Sequence, residues 1–244
     1  MQTMVREFIE KLVPQTLIGH IEYRSQIYKK FYGFGPMNGQ TSRMEICRKI
    51  FSNLGITKII ETGTYRGGTT SWLAQFNLPI TTIDAKKRDV VFSKLRLSKF
   101  PNIEIFHGNS VDVLKTILNK ERDANMPYFY YLDAHWYEYL PLSDELHLIR
   151  DRNPAAIILI DDFQVPDDSG YKFDDYGDGK SLTLEYLARN AVSDFDIFFP
   201  KTPAIHETGV TRGYCVLDLE RVGGRKTCGV RFAAKMAKTE LNGA

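Results

Sequence analysis

The alternation that begins at residue 57 leaves this chain few folds to choose from. Lys58–Thr62, Ile80–Asp84, Ile103–Phe106, Tyr128–Asp133 and Ala155–Asp161 are short runs rich in β-branched and aromatic residues, and read as strands. Between them, Thr69–Phe76, Asp89–Ser98, Val111–Asn119 and Pro141–Arg150 carry apolar residues at helical spacing. Apolar strands alternating with amphipathic helices predict an α/β fold, a parallel sheet covered by helices on both faces. Ser181–Asn190 predicts one more helix. Phe195–Phe199 and Tyr214–Leu219 then follow with no helical pattern between them, so they predict an antiparallel hairpin closing one edge. The sum is a seven-stranded, mostly parallel sheet with an antiparallel C-terminal hairpin.

The residues ahead of the sheet have a different character. Residues 2–12 predict an amphipathic helix with Val5, Phe8, Ile9 and Leu12 on one stripe. Tyr23, Tyr28, Phe31, Tyr32 and Phe34 crowd residues 21–34, and Gly33, Gly35, Pro36 and Gly39 then break the chain. Thr41–Leu54 predicts a helix whose apolar face is Ile46, Ile50 and Leu54, widened by Cys47 and Phe51, with Gly55 closing it. The expected organisation is an N-terminal helical, aromatic cap over 1–45 and an α/β domain over 46–244. A net charge of +2 does not call for nucleic acid or an anionic membrane as partner. Cys47, Cys215 and Cys228 lack metal-ligand spacing and leave an odd thiol, which points to a reducing, cytoplasmic compartment. Residues 1–14 carry Arg6, Glu7, Glu10 and Lys11 and lack the apolar core of a signal peptide.

In an open parallel sheet, ligands sit beyond the carboxyl ends of the strands. Each of the first five strands here ends in polar groups. The first ends in Glu61-Thr62-Gly63-Thr64-Tyr65-Arg66-Gly67-Gly68. Gly63 permits a tight turn, and Gly67 lets backbone approach a ligand where the next helix starts. Asp84 ends the second strand, placed to accept hydrogen bonds from ribose hydroxyls, or else to cap a helix. Asn109 and Ser110 follow the third strand and could meet an adenine edge, cap the next helix, or do both. Asp133 ends the fourth strand, and Asp161 and Asp162 end the fifth. Three carboxylates from neighbouring strands repel unless a cation neutralises them, and an all-oxygen set suits Mg²⁺. The alternative is that Asp161 or Asp162 caps the loop or pairs with an arginine. His135 stands two residues past Asp133, and a histidine side chain is of the type that can take a proton from a substrate hydroxyl. The acid-rich segment 164–180 reads as a solvated, mobile lid.

Glu-Thr-Gly-Thr-Tyr-Arg-Gly-Gly at 61–68 together with Asp84 resembles the first two motifs of class I S-adenosylmethionine-dependent methyltransferases. Leu132-Asp133-Ala134-His135 and Ile160-Asp161-Asp162-Phe163 resemble the metal-binding segments of the macrocin-type sugar O-methyltransferases. The resemblance implies a Rossmann-like methyltransferase fold. It implies that Glu61, Gly63 and Gly67, with Thr64 in the same turn, hold the methionine half of S-adenosylmethionine, and that Asp84 holds its ribose. It further implies that Asp133, Asp161 and Asp162 hold Mg²⁺, that His135 is the base, and that the acceptor is a hydroxyl of a sugar, glycoside or other small diol. No nucleic-acid or membrane partner is expected, and the sequence leaves homo-oligomer formation open. The alternatives are a metal-independent small-molecule methyltransferase, a hydroxylase-like relative, and a non-catalytic cofactor-binding relative of the same fold.

Overall fold

Three strands of this protein are buried at every position, and the rest of the architecture follows from covering them. The computed structural model describes residues 13–25, 35–121, 125–134, 139–190 and 195–218. Its strands are β1 (Lys58–Thr62), β2 (Ile80–Asp84), β3 (Ile103–His107), β4 (Tyr128–Leu132), β5 (Ile157–Asp161), β6 (Asp196–Phe198) and β7 (Tyr214–Asp218). They form one seven-stranded sheet in the order β3-β2-β1-β4-β5-β7-β6. β1 pairs in parallel with β2 and β4, and the parallel ladder extends to β3 on one side and β5 on the other. β7 is antiparallel to both β5 and β6, so the expected hairpin is present with its second strand on the inside. β2, β4 and β5 are buried throughout, as near-continuous apolar strands covered on both faces should be. β3, at the edge, is half exposed.

Alternate residues of each strand feed two cores. Ile60, Ile83, Tyr130, Leu132, Ile158 and Ile160 face one side and pack with Leu114, Leu146 and Ile149. These last three come from α5 (Ser110–Leu118) and α6 (Leu142–Arg152). Ile59, Ile80, Phe129, Tyr131, Ile157 and Leu159 face the other side and pack with Cys47, Ile50, Trp72 and Leu73. Those come from α2 (Thr41–Asn53) and α3 (Gly68–Leu73). α4 (Lys87–Arg96) follows β2, and α7 (Leu184–Arg189) is the last helix before the hairpin.

The N-terminal region differs most from expectation. A helix, α1 (Gln15–Ser25), stands where no helical stripe was legible. It packs on α4, with Gly19 so near the Arg88 carbonyl that a Cβ would lie 2.5 Å from it. Tyr23 meets the Phe92 ring edge-on at 5.5 Å. In α2 the expected apolar face packs on the sheet, with Cys47 and Ile50 buried and Ile46, Phe51 and Leu54 partly buried against the same core; the unexpected buried member is Arg43. The division expected at 45/46 falls inside this helix. The helix expected over 2–12 and most of the aromatic segment lie outside the described residues. Among the described residues no helix is long and apolar enough to cross a membrane.

Candidate functional site

A cavity of about 220 Å³ opens at the carboxyl ends of β1, β2 and β4. Gly63, Tyr65, Asp84, Asn109, Ser110, Asp133 and Tyr139 are among the residues that line it. Four of the seven expected cofactor residues therefore meet there: Gly63, Asp84, Asn109 and Ser110. Gly63 has φ +90°, and a Cβ on it would lie 2.3 Å from the Asp133 carbonyl oxygen. Only glycine lets β1 turn away this close to the end of β4. Asp84 is buried, and its oxygens accept from the Tyr65 and Lys86 amides, each at 2.7 Å. Burial pushes its pKa up, and those two amides partly oppose the shift. A carboxylate has about four acceptor sites, so Asp84 retains capacity for two more donors. Asn109 caps α5, accepting from the Val111 amide at 2.9 Å and the Asp112 amide at 3.4 Å.

Glu61, Thr64 and Gly67 lie behind this cavity rather than along it. Glu61 is buried and accepts from Thr70 at 2.5 Å and Thr82 at 2.6 Å, and Thr82 in turn meets Thr64 at 2.6 Å. Burial raises the Glu61 pKa to about 7 despite the two threonines. Gly67, at φ +67°, precedes α3 in a left-handed turn pressed against Leu97.

The three acids do approach one another. Burial raises the Asp133 pKa well above the carboxylate range, and the charges of Asp161 and Asp162 raise it further. Two of the three, however, already have arginine partners. Asp161 is 2% exposed and pairs with the fully buried Arg43 of α2; it also accepts from the Tyr131 hydroxyl and, at 2.7 Å, from the Asp162 amide. Burial alone would raise Asp161, but Arg43, Tyr131 and that amide hold it below its ordinary value. Arg43 also donates to the Arg212 carbonyl at 2.7 Å and lies over the Tyr214 ring at 4.5 Å. Asp162, at φ +54°, accepts from Arg212 Nε at 2.6 Å, and Arg212 also pairs with Asp174. Burial and the neighbouring Asp161 push Asp162 up to about 7. Among the described residues, no group of three or more His, Cys, Asp or Glu side chains stands in a metal-holding arrangement. His135 lies outside the described residues, as do Trp136 and Tyr137.

No protein-family model matches the chain, and neither does any curated protein. Solved structures do. An O-methyltransferase from Bacillus cereus, in complex with SAH, is 15% identical over 88% of this chain and 97% of its own, with a TM-score of 0.54. Streptomyces venezuelae DesVI is 10% identical over 80% of this chain and 98% of its own, with a TM-score of 0.51. The O-methyltransferase TomG from Streptomyces achromogenes, involved in tomaymycin synthesis and in complex with SAM, is 17% identical over 72% of this chain and 79% of its own, with a TM-score of 0.50. The fold is that of a Rossmann-like methyltransferase. In this methyltransferase fold the strand order reverses between β1 and β4, and the cavity opens at that switch point, where an open α/β sheet receives its ligand.

Several residues of this methyltransferase fold were not legible as site components. Arg43 lies one turn ahead of the apolar stripe of α2, Arg212 lies in a loop 50 residues from Asp162, and Tyr131 lies within an apolar strand. The 164–180 segment is pinned rather than free. The Asp174 amide donates to the Asp162 carbonyl at 2.9 Å, Lys172 bridges to Arg212, and Tyr171 is buried. Glu145 of α6 lies fully buried beside Ser110 and Thr62, yet neither of its oxygens has a hydrogen bond of good geometry. Burial raises its pKa from 4.5 to about 7. A carboxyl that holds its proton to higher pH when folded gives stability that is full below pH 4.5 and lost as pH rises toward about 7. Glu145→Gln should therefore stabilise the protein at pH 8, by roughly 3 kcal/mol at most. Urea midpoints at pH 5 and pH 8 check this. A variant no more stable than wild type at pH 8 would contradict it.

Proposed function

We propose that this protein is an S-adenosylmethionine-dependent O-methyltransferase acting on a hydroxyl of a small molecule, with a sugar or glycoside as the acceptor class. The observation that carries the reading is that Gly63, Asp84 and Asp133 line one cavity. Two structures with this fold are O-methyltransferases described in complex with SAM or SAH. Bound S-adenosylmethionine supplies an electrophilic sulfonium methyl group, so a covalent enzyme nucleophile is not required. The chain's tasks are to bind, orient and deprotonate. Asp84 would accept from the ribose hydroxyls, its direction fixed by the Tyr65 and Lys86 amides. Gly63 lets the turn that lines the cavity pass close to the end of β4. Asn109 and Ser110 would lie at the adenine end, with Glu61, Thr64 and Gly67 shaping the turn from behind. His135 is the proposed base, following Asp133 by two residues.

The donor set can be tested against a divalent cation. Four carboxyl groups, Asp133, Asp161, Asp162 and Asp174, face two guanidinium groups, Arg43 and Arg212; burial and the neighbouring acids favour the protonated form of Asp133, so a cation bound there would have to displace that proton. Mg²⁺ commonly binds through one or two carboxylates and retains its waters. Asp133 would be the first ligand and Asp162 the second, the latter shared with Arg212, while Asp161 is committed to Arg43. A cation held there would lower the pKa of an acceptor hydroxyl. A metal-independent reading draws support from the same two arginines, which already neutralise half of the acids. Activity that survives chelation would select it.

Asp84→Asn is the direct test of the cofactor assignment. It should weaken S-adenosylhomocysteine binding about 10- to 100-fold in calorimetry, as expected when hydrogen bonds to a charged acceptor are lost. Unchanged affinity would remove Asp84 from the ribose role.

A further inference from the structure

Helix α1 reaches the cofactor turn through a single buried cation. Arg66 follows Tyr65 in that turn, and its side chain is 4% exposed. Its guanidinium pairs with Glu22 of α1 at 2.5 Å and with Asp89 of α4 at 3.2 Å, and lies over the Phe92 ring at 4.5 Å. The Arg66 carbonyl accepts from Arg96 at 2.9 Å, and the Gly67 amide closes the turn onto the Thr64 carbonyl at 2.8 Å. These restraints bear on Tyr65, a non-glycine residue at φ +47° whose amide donates to Asp84. A non-glycine residue persists in that conformation only when its surroundings over-determine it.

We propose that Glu22 is a positioning residue for the cofactor: through Arg66 it holds the 64–67 turn so that the Tyr65 amide stays aimed at Asp84. The inference rests on the reading of the cavity as an S-adenosylmethionine site. Asp89 and Arg96 belong to α4 and would hold the turn from one side only. Glu22 supplies the opposing carboxylate, and α1 is seated firmly enough to carry it, through Gly19 on the Arg88 carbonyl and Tyr23 on Phe92. The N-terminal helix is then part of the binding machinery.

The test is calorimetry of S-adenosylhomocysteine with the full chain, comparing wild type, Glu22→Ala, Arg66→Met and the double variant. Amide hydrogen exchange of residues 64–67 without ligand provides a second readout. Glu22→Ala should weaken binding roughly three- to tenfold, and add little in the Arg66→Met background, because the two side chains act as one unit. Exchange at 64–67 should rise in Glu22→Ala, a change that does not require ligand. Glu22→Gln, which keeps the shape and a polar end, should recover part of the affinity. Unchanged affinity and unchanged exchange in Glu22→Ala would overturn the proposal, as would a fall in thermal midpoint with no change in affinity. Wild-type protein that fails to bind S-adenosylhomocysteine would overturn the cofactor reading, and the proposal with it.

Discussion

Replacing Arg43 by methionine is expected to cost about 3–5 kcal/mol of folding stability, the usual penalty for leaving one partner of a buried ion pair alone. Asp161 is 2% exposed, and without Arg43 it would keep only the Tyr131 hydroxyl, the Asp162 amide and a 3.5 Å approach from Asn38. The substitution also removes donors from the Arg212 and Gly213 carbonyls, which hold the 207–213 loop against α2. The response to pH should change sign. In the wild type, Asp161 has a lowered pKa, so its contribution is present above the unfolded value and lost as pH falls through the folded one. In Arg43→Met the same carboxyl would be raised by burial, and stability would fall as pH rises. Chemical denaturation at pH 5 and pH 8 measures the loss and the fall with rising pH in the variant, and a further series below pH 4 measures the opposite trend in the wild type. Adding Asp161→Asn should restore part of the loss, because it removes the stranded charge. A midpoint within experimental error of wild type would show that the pair does not anchor α2.

Gly63→Ala should be nearly as damaging, and for a different reason. The nearest atoms to a new Cβ are the Asp133 carbonyl oxygen at 2.3 Å and its carbon at 2.7 Å, both backbone. Neither can swing aside. The β1 turn and the end of β4 would have to separate, breaking the 2.9 Å bond from the Asp133 amide to the Thr62 carbonyl. The φ of +90° adds a penalty of its own for a residue with a side chain. A loss on the order of 3 kcal/mol is expected. Binding of S-adenosylhomocysteine should become undetectable, since the same turn frames the cavity. Gly67→Ala is the control. Its closest contact, at 2.8 Å, is the end of the Leu97 side chain, which can rotate away. Thermal melts and calorimetry on both variants, with Gly67→Ala hit as hard as Gly63→Ala, would contradict the steric argument.

The sheet was legible because its strands are short, apolar and separated by amphipathic helices. β1 and β2 begin and end where the residue pattern places them, and the other parallel strands differ by one or two residues. That Gly63, Asp84, Asn109 and Ser110 lie at one cavity was legible too, since glycine turns and polar strand ends are local signals. What was not legible is what depends on distant partners. Arg43 carries no local signal of a partner until Asp161, 118 residues later, stands opposite it. The sequence alone could pose the choice between a cation and an arginine for Asp161 and Asp162. It could not show that both arginines are supplied, one by α2 and the other by the loop before β7. α1 escaped notice because most of its side chains face outward and Gly19 is its one fully buried position. The inner placement of β7 was likewise invisible, since a hairpin pattern does not say which strand joins the sheet.

That inner placement has a consequence for synthesis on the ribosome. β5 finds its outer neighbour only in residues 214–218, and β6 pairs with the sheet solely through that same late segment. Until it emerges, the nascent polypeptide carries a bare row of amides and carbonyls along Ile157–Asp161, flanked by isoleucine and leucine side chains. An exposed apolar edge of this kind templates pairing with other chains. The last strand of the described residues to be translated is therefore the one that seals the sheet, and a product stopped short of it would leave its most adhesive border open.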